Sequence, residues 1–280
     1  MDYLDDLDVG SVVDLDAWAA GNLASMPDTT HLPDNSQAQI SSGIAYAVQR
    51  AITAAAPYNT SGPLNQWLAS VSLSATSPTK FIFTGHSEGA PISLALAYLY
   101  VTSGTIKQNS NVGVRFFTLA GPSPGNQAYV DAVESLFPPV VPGSAPSYGA
   151  WNLNIVNTLD IVPYAWCWDK WMFGPGCPPS NMLSLLNIPA MYGAAGSVYA
   201  KTLAAVSALI ASSSTVNTYY YPHPYQAFTG TPPTTLPSDF DDWAGMAWCQ
   251  HVQGYCMQFF GSLTTPPCHT ALNVTPDCPY

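Results

Sequence analysis

Apolar residues at Ile44, Ala47, Val48, Ala51 and Ile52 recur at three- and four-residue intervals between Ile40 and Ala55, which predicts an amphipathic helix beginning near Gln37 and ended by Ala56-Pro57. The run Lys80-Phe81-Ile82-Phe83-Thr84 is instead a short apolar segment of β type. It leads through Gly85-His86-Ser87-Glu88-Gly89 into an Ala/Leu-rich helix from Ala90 to about Val101. Val112 to Ala120 and Trp151 to Val156 read as two further buried strands, with helical or loop material around Gln127 to Leu136 between them. Strands that alternate with helices predict an α/β fold built on a mostly parallel sheet flanked by helices.

Outside this alternation the pattern weakens. Residues 1 to 36 are acidic and turn-rich and predict no strand series. Beyond Pro163, Pro, Trp and Cys crowd together up to Pro179, and an apolar helix is predicted from about Ala194 to Ala211. Residues 164 to 215 therefore read as a cap or lid inserted over the sheet, within one domain spanning residues 1 to 280. A β run from Val216 to Tyr221, a Pro/Thr-rich loop from His223 to Pro237 and a final helix around Asp241 to Phe260 complete the prediction.

Composition narrows the partners. Six Lys+Arg against 17 Asp+Glu give a formal charge of −11, with no basic cluster along the chain, so nucleic acid is not expected as a partner. Contact with a lipid interface would have to be transient and apolar rather than headgroup-directed. No run of about 18 apolar residues predicts a transmembrane segment. Six cysteines, Cys167, Cys177, Cys249, Cys256, Cys268 and Cys278, lack zinc-site spacing and favour disulfides. Together with few lysines and sequons at Asn59 and Asn273, they favour a secreted protein, although the amino terminus shows no signal peptide. Cys249 and Cys256, seven apart on one helix, are expected to pair with other cysteines.

The chemistry centres on Gly85-His86-Ser87-Glu88-Gly89, in which glycines flank a serine at a sharp strand-to-helix turn. A side chain at Gly85 or Gly89 is expected to crowd neighbouring backbone there. A serine hydroxyl needs a histidine to take its proton and a carboxylate to orient that histidine. In this arrangement the acid and then the histidine follow the serine in the chain. Asp160 follows the strand predicted at Trp151 to Val156. Of the histidines after it, His223 is pinned between prolines and His269 lies in a proline-rich tail, leaving His251. His86 reads as a packing residue beneath the elbow, and the backbone N–H of Glu88 as one oxyanion contact. Trp166, Trp168, Trp171 and Phe173 are candidates for an acyl pocket or lid.

Four stretches in order resemble signature blocks of the class 3, or fungal-type, triacylglycerol lipase family of the α/β-hydrolase superfamily. They are Gly85 to Ala90, Leu119 to Asn126, Val156 to Pro163 and Gln250 to Tyr255, within a likeness covering roughly residues 38 to 260. The resemblance implies Ser87 as nucleophile, Asp160 as acid and His251 as base. It implies hydrolysis of lipid or other neutral carboxylic esters through an acyl-enzyme, without a metal or organic cofactor. Two departures stand out: Glu88 replaces the uncharged residue usual after the serine, and the strands expected before the elbow are missing or atypical. An amino-terminal portion is therefore expected to be lacking. A catalytically dead hydrolase-like domain is the rival reading, and acyl transfer by the same triad is a second.

Overall fold

The computed structural model describes residues 9–31, 34, 36–54, 62–140, 151–166, 185–213 and 220–260. Its first elements are a small antiparallel ribbon of β1 (Val12–Asp14) and β2 (Gln39–Ser41), with helix α1 (Leu15–Ala20) in the connection. The Asp14 carboxylate caps α1 by accepting the Ala17 N–H. Ser41 likewise caps α2 (Ser42–Thr53), so the helix expected from Gln37 starts five residues later and Gln39–Ser41 form a strand instead. Neither β1 nor helix α3 (Leu64–Ser74) is predicted by the apolar pattern. β1 is three residues long, and α3 buries only Leu68 and Ser72.

Four parallel strands form the main sheet in the order β3 (Thr79–His86), β4 (Val112–Leu119), β5 (Leu153–Asn157) and β6 (Tyr225–Phe228). The first three match the predicted apolar runs to within two residues at most ends. Between them run α4 (Gly89–Thr102) and α5 (Gln127–Leu136). In α4 every residue from Ala90 to Tyr100 except Ile92 is buried, which explains a helix that is apolar all round. It packs between the sheet and helices α1 and α2, in a core that includes Trp18, Ile40, Leu94, Leu99 and Phe116. Phe117, Leu153, Ile155 and Phe228 form a second cluster on the sheet with Phe259.

β6 falls inside the segment predicted as a Pro/Thr-rich loop. Its four residues run intermediate, exposed, exposed, intermediate in burial, and among the described residues β5 alone pairs with it. Such an edge strand has no alternation to read. Of the strand expected at Val216 to Tyr221, residues 216–219 lie outside the described residues. Tyr221 makes a single bridge with Gly125, and the Tyr220 hydroxyl donates to the Val9 carbonyl (2.9 Å).

The later helices are α6 (Gly196–Ser213), α7 (Phe240–Trp248) and α8 (Gly254–Phe260), with a π-helical turn, Cys249–Gln253, joining the last two. The predicted final helix is thus continuous but widened by one π-turn. Val198 and Val206 of α6 pack with Ile188 and Tyr192 against Trp243 and Met246 of α7. Among the described residues no helix is long and apolar enough to cross a membrane. Neither Cys249 nor Cys256 is free, and the other four cysteines lie outside the described residues.

His223 is buried edge-to-face with Tyr129 (ring centroids 5.0 Å apart), and neither of its ring nitrogens finds a hydrogen-bond partner among the described residues. Burial pushes its pKa down from 6.5 to about 3. The unfolded chain therefore binds a proton that the folded chain refuses throughout that interval. Its contribution to stability is fully present above pH 6.5, declines as the pH falls, and levels off below about pH 3. We expect urea-unfolding free energies measured between pH 6 and pH 4 to fall less steeply in His223→Phe than in wild type, by up to about 1.4 kcal/mol per pH unit. Equal slopes would show that His223 carries no such penalty.

Candidate active site

The turn at Ser87 is set by close packing. Its φ of 59° lies in the left-handed region, a strain on the order of 1–3 kcal/mol for a residue with a side chain. The Ser87 N–H donates to the Leu119 carbonyl (3.0 Å), and the Ala90 N–H donates to the Ser87 carbonyl (2.9 Å). A Cβ at Gly85 would lie 2.0 Å from the Gly89 carbonyl oxygen, so only glycine fits. At Gly89 the expectation fails: a Cβ there would meet nothing within 4 Å. Gly121 packs the end of β4 against α4, since its Cβ would lie 2.7 Å from that of Ala90, and its N–H donates to Asn154 Oδ1 (3.1 Å).

Asp160 lies in the loop after β5 and is completely buried. Its Oδ1 accepts the Val162 N–H (3.0 Å). Oδ2 accepts His251 Nδ1 (2.9 Å) and the Tyr255 hydroxyl (3.0 Å). A carboxylate oxygen can only accept, so the proton of this bond sits on His251 Nδ1, which leaves Nε2 as the nitrogen able to act as base. His251 stands in the π-turn and is itself 8% exposed.

His86, one residue before the serine, does more than pack. Its Nε2 donates to the backbone carbonyl of His251 (2.8 Å), and the two imidazole rings lie 4.6 Å apart. Burial first, and then the neighbouring His251, hold the His86 pKa below its ordinary value. The strand that ends just before Ser87 is thereby tied directly to the turn that carries His251.

A second brace ties the end of β5 to the same turn. Asn157, completely buried at the end of β5, donates through Nδ2 to the carbonyl and Oε1 of Gln250 (3.1 and 2.9 Å). Its Oδ1 accepts the N–H groups of Leu159 and Gly230, and its own N–H donates to the Tyr255 hydroxyl (2.9 Å). Burial and the adjacent Asp160 push the Tyr255 phenol well above its ordinary pKa, so it remains a donor to the carboxylate. The sequence reading passed over the roles of Asn157, Gln250 and Tyr255. The available signal was the four-residue spacing of His251 and Tyr255, which puts both on one side of the helix.

Of the predicted residues, Asp160 and His251 are joined, while Ser87 Oγ makes no hydrogen bond among the described residues. Glu88 stands at the amino end of α4 in helical conformation. Trp166 is buried against Val9, Val12 and Tyr220. Trp168, Trp171 and Phe173 lie outside the described residues. No group of three or more His, Cys, Asp or Glu side chains suited to a metal ion occurs among the described residues.

Comparison with known proteins bears on the family and the fold. The profile of the family "Lipase (class 3)" matches residues 11–169, a span that holds Ser87 and Asp160 but stops short of His251. The crystal structure of M37 lipase matches with a TM-score of 0.58 and 20% identity over 88% of this chain, and the fold is thus shared. The chain spans 64% of the length of that lipase. The Rhizomucor miehei lipase propeptide complex matches at 20% identity over 46% of this chain and 33% of its own, with a TM-score of 0.32. No curated protein matches.

The elbow geometry separates its two glycines. Gly85→Ala is expected to lower stability by more than about 3 kcal/mol or to prevent folding, whereas Gly89→Ala should stay within about 1 kcal/mol of wild type. Chemical-denaturation curves of the two variants decide it, and equal losses would contradict the packing described.

Proposed function

Because this chain belongs to the class 3 lipase family, we propose that it hydrolyses neutral carboxylic esters with Ser87 as nucleophile, His251 as general base and Asp160 as the orienting carboxylate. The observation that carries this reading is the buried Asp160–His251 hydrogen bond, held by His86 beside a strained serine. His251 Nε2 takes the proton of the Ser87 hydroxyl as its oxygen attacks the ester carbonyl, and returns it to the leaving alcohol. Water then repeats the sequence on the acyl-enzyme. Asp160 keeps the imidazole in the tautomer this requires and stabilises the imidazolium that forms. The Ser87–His251 hydrogen bond closes when substrate is bound, a common behaviour of catalytic contacts.

The backbone N–H of Glu88, at the amino end of α4, is our candidate for one oxyanion donor. A charge of −11 favours uncharged substrates, and an esterified lipid meets that condition. The segment around α6, packed on the helix that leads into His251, is the candidate cap. Trp168, Trp171 and Phe173 remain candidates for an acyl pocket, whereas Trp166 packs in a small core with Val9, Val12 and Tyr220. Cysteine usage suits an exported protein.

Hydrolysis of p-nitrophenyl esters with short and long acyl chains tests the assignment. We expect turnover that Ser87→Ala abolishes and that Asp160→Asn lowers by about 10⁴, because the amide favours the wrong tautomer. No turnover from the folded chain would overturn the proposal in favour of a catalytically dead domain. Tyr255→Phe removes one of the donors to Asp160 while leaving the ring in place. It should lower stability by about 1–3 kcal/mol and reduce kcat more than it raises KM.

A further inference from the structure

The cations of this chain are scattered in sequence, yet two of the six meet in space. Lys80 of β3 lies opposite Gly113 of β4, and Ile82 lies opposite Arg115. Lys80 and Arg115 are thus diagonal neighbours on the same face of adjacent strands. Both line a cavity of about 410 Å³ at the amino-terminal ends of these strands, the end of the sheet remote from Ser87. A space of this size lies within the range of small-molecule sites, roughly 300–1,000 Å³. Among the described residues neither cation has a carboxylate partner, and no Asp or Glu lines the cavity, although the chain carries 17.

The remaining lining is of two kinds. Gln108 Oε1 accepts the Val114 N–H (3.3 Å), so its amide nitrogen is left as a donor. Leu136 and Val140 stand 36% and 38% exposed, beside Phe137, and give the cavity an apolar wall. Two adjacent positive charges without a counter-ion repel each other, and a bound anion relieves that repulsion. An inorganic anion would leave the apolar wall unused, and a neutral apolar molecule would leave the charges unpaired.

We propose that this cavity binds a small organic anion, a carboxylate with a short apolar chain. The carboxylate lies between Lys80 and Arg115, the Gln108 amide donates to it, and the chain covers Leu136 and Val140. The site is separate from the proposed catalytic residues and does not depend on their assignment.

Isothermal titration of the full chain with octanoate, octan-1-ol and inorganic phosphate tests the proposal. The expected result is saturable binding of octanoate with a component that Lys80→Gln and Arg115→Gln each weaken by about tenfold, the loss of one charge-assisted contact. Octan-1-ol and phosphate should bind this site at least about tenfold more weakly than octanoate. Lys80 is exposed, so Lys80→Gln remains informative if the Arg115 variant fails to fold. Octanoate binding unchanged in Lys80→Gln, or no octanoate binding, would overturn the proposal. Phosphate binding as tightly as octanoate would make this an inorganic-anion site, and equal binding of octan-1-ol a merely apolar one. Either overturns it too.

Discussion

Asp160 has no exposure to water, and an ionised carboxylate in that position is tolerated only when each oxygen is supplied with donors. One comes from its own loop, the Val162 N–H, and two from the carboxyl-terminal helix, His251 and Tyr255. The carboxylate and the helix therefore depend on each other. Without the helix the charge is buried and poorly paired, and without the charge the His251 ring loses the contact that sets its tautomer. Hydrogen bonds to charged groups contribute about 1.5–3 kcal/mol each, so the set is a substantial part of what docks this helix on the sheet.

The docking is reinforced at two further points. Asn157 clamps the loop at Gln250, and His86 reaches from the end of β3 to the His251 carbonyl. The π-turn at Cys249–Gln253 gives the helix the extra residue that accompanies this geometry. Three chain segments separated by up to 165 residues consequently converge at the carboxyl ends of neighbouring strands. Ser87 contributes backbone strain instead of a side-chain bond, and that strain is maintained by the glycine at Gly85 and the backbone bond to Leu119.

Apolar density made β3, β4, β5 and α4 legible, because these elements are buried on most sides and their residues say so. β6, β1 and α3 were not, since short or half-exposed elements are held by pairing or by one or two contacts rather than by a periodic face. Chain order and strand position pointed to Asp160 and His251. The braces from His86, Asn157 and Gln250 act between segments 93 to 165 residues apart and leave no local pattern. Gly89 shows the opposite error: a glycine in a suggestive position carried no steric role. The sequence shows no basic cluster, and only strand register makes Lys80 and Arg115 neighbours.

The central claim is that a buried Asp160–His251 pair activates Ser87. Reaction with a fluorophosphonate, followed by mass mapping of the modified peptide and timed against Asp160→Asn, tests it most directly. The account predicts stoichiometric label on Ser87 and none elsewhere, with labelling slowed by orders of magnitude in the folded Asp160→Asn protein. A folded chain that takes up no label, or labels at the same rate with Asp160→Asn, would contradict it.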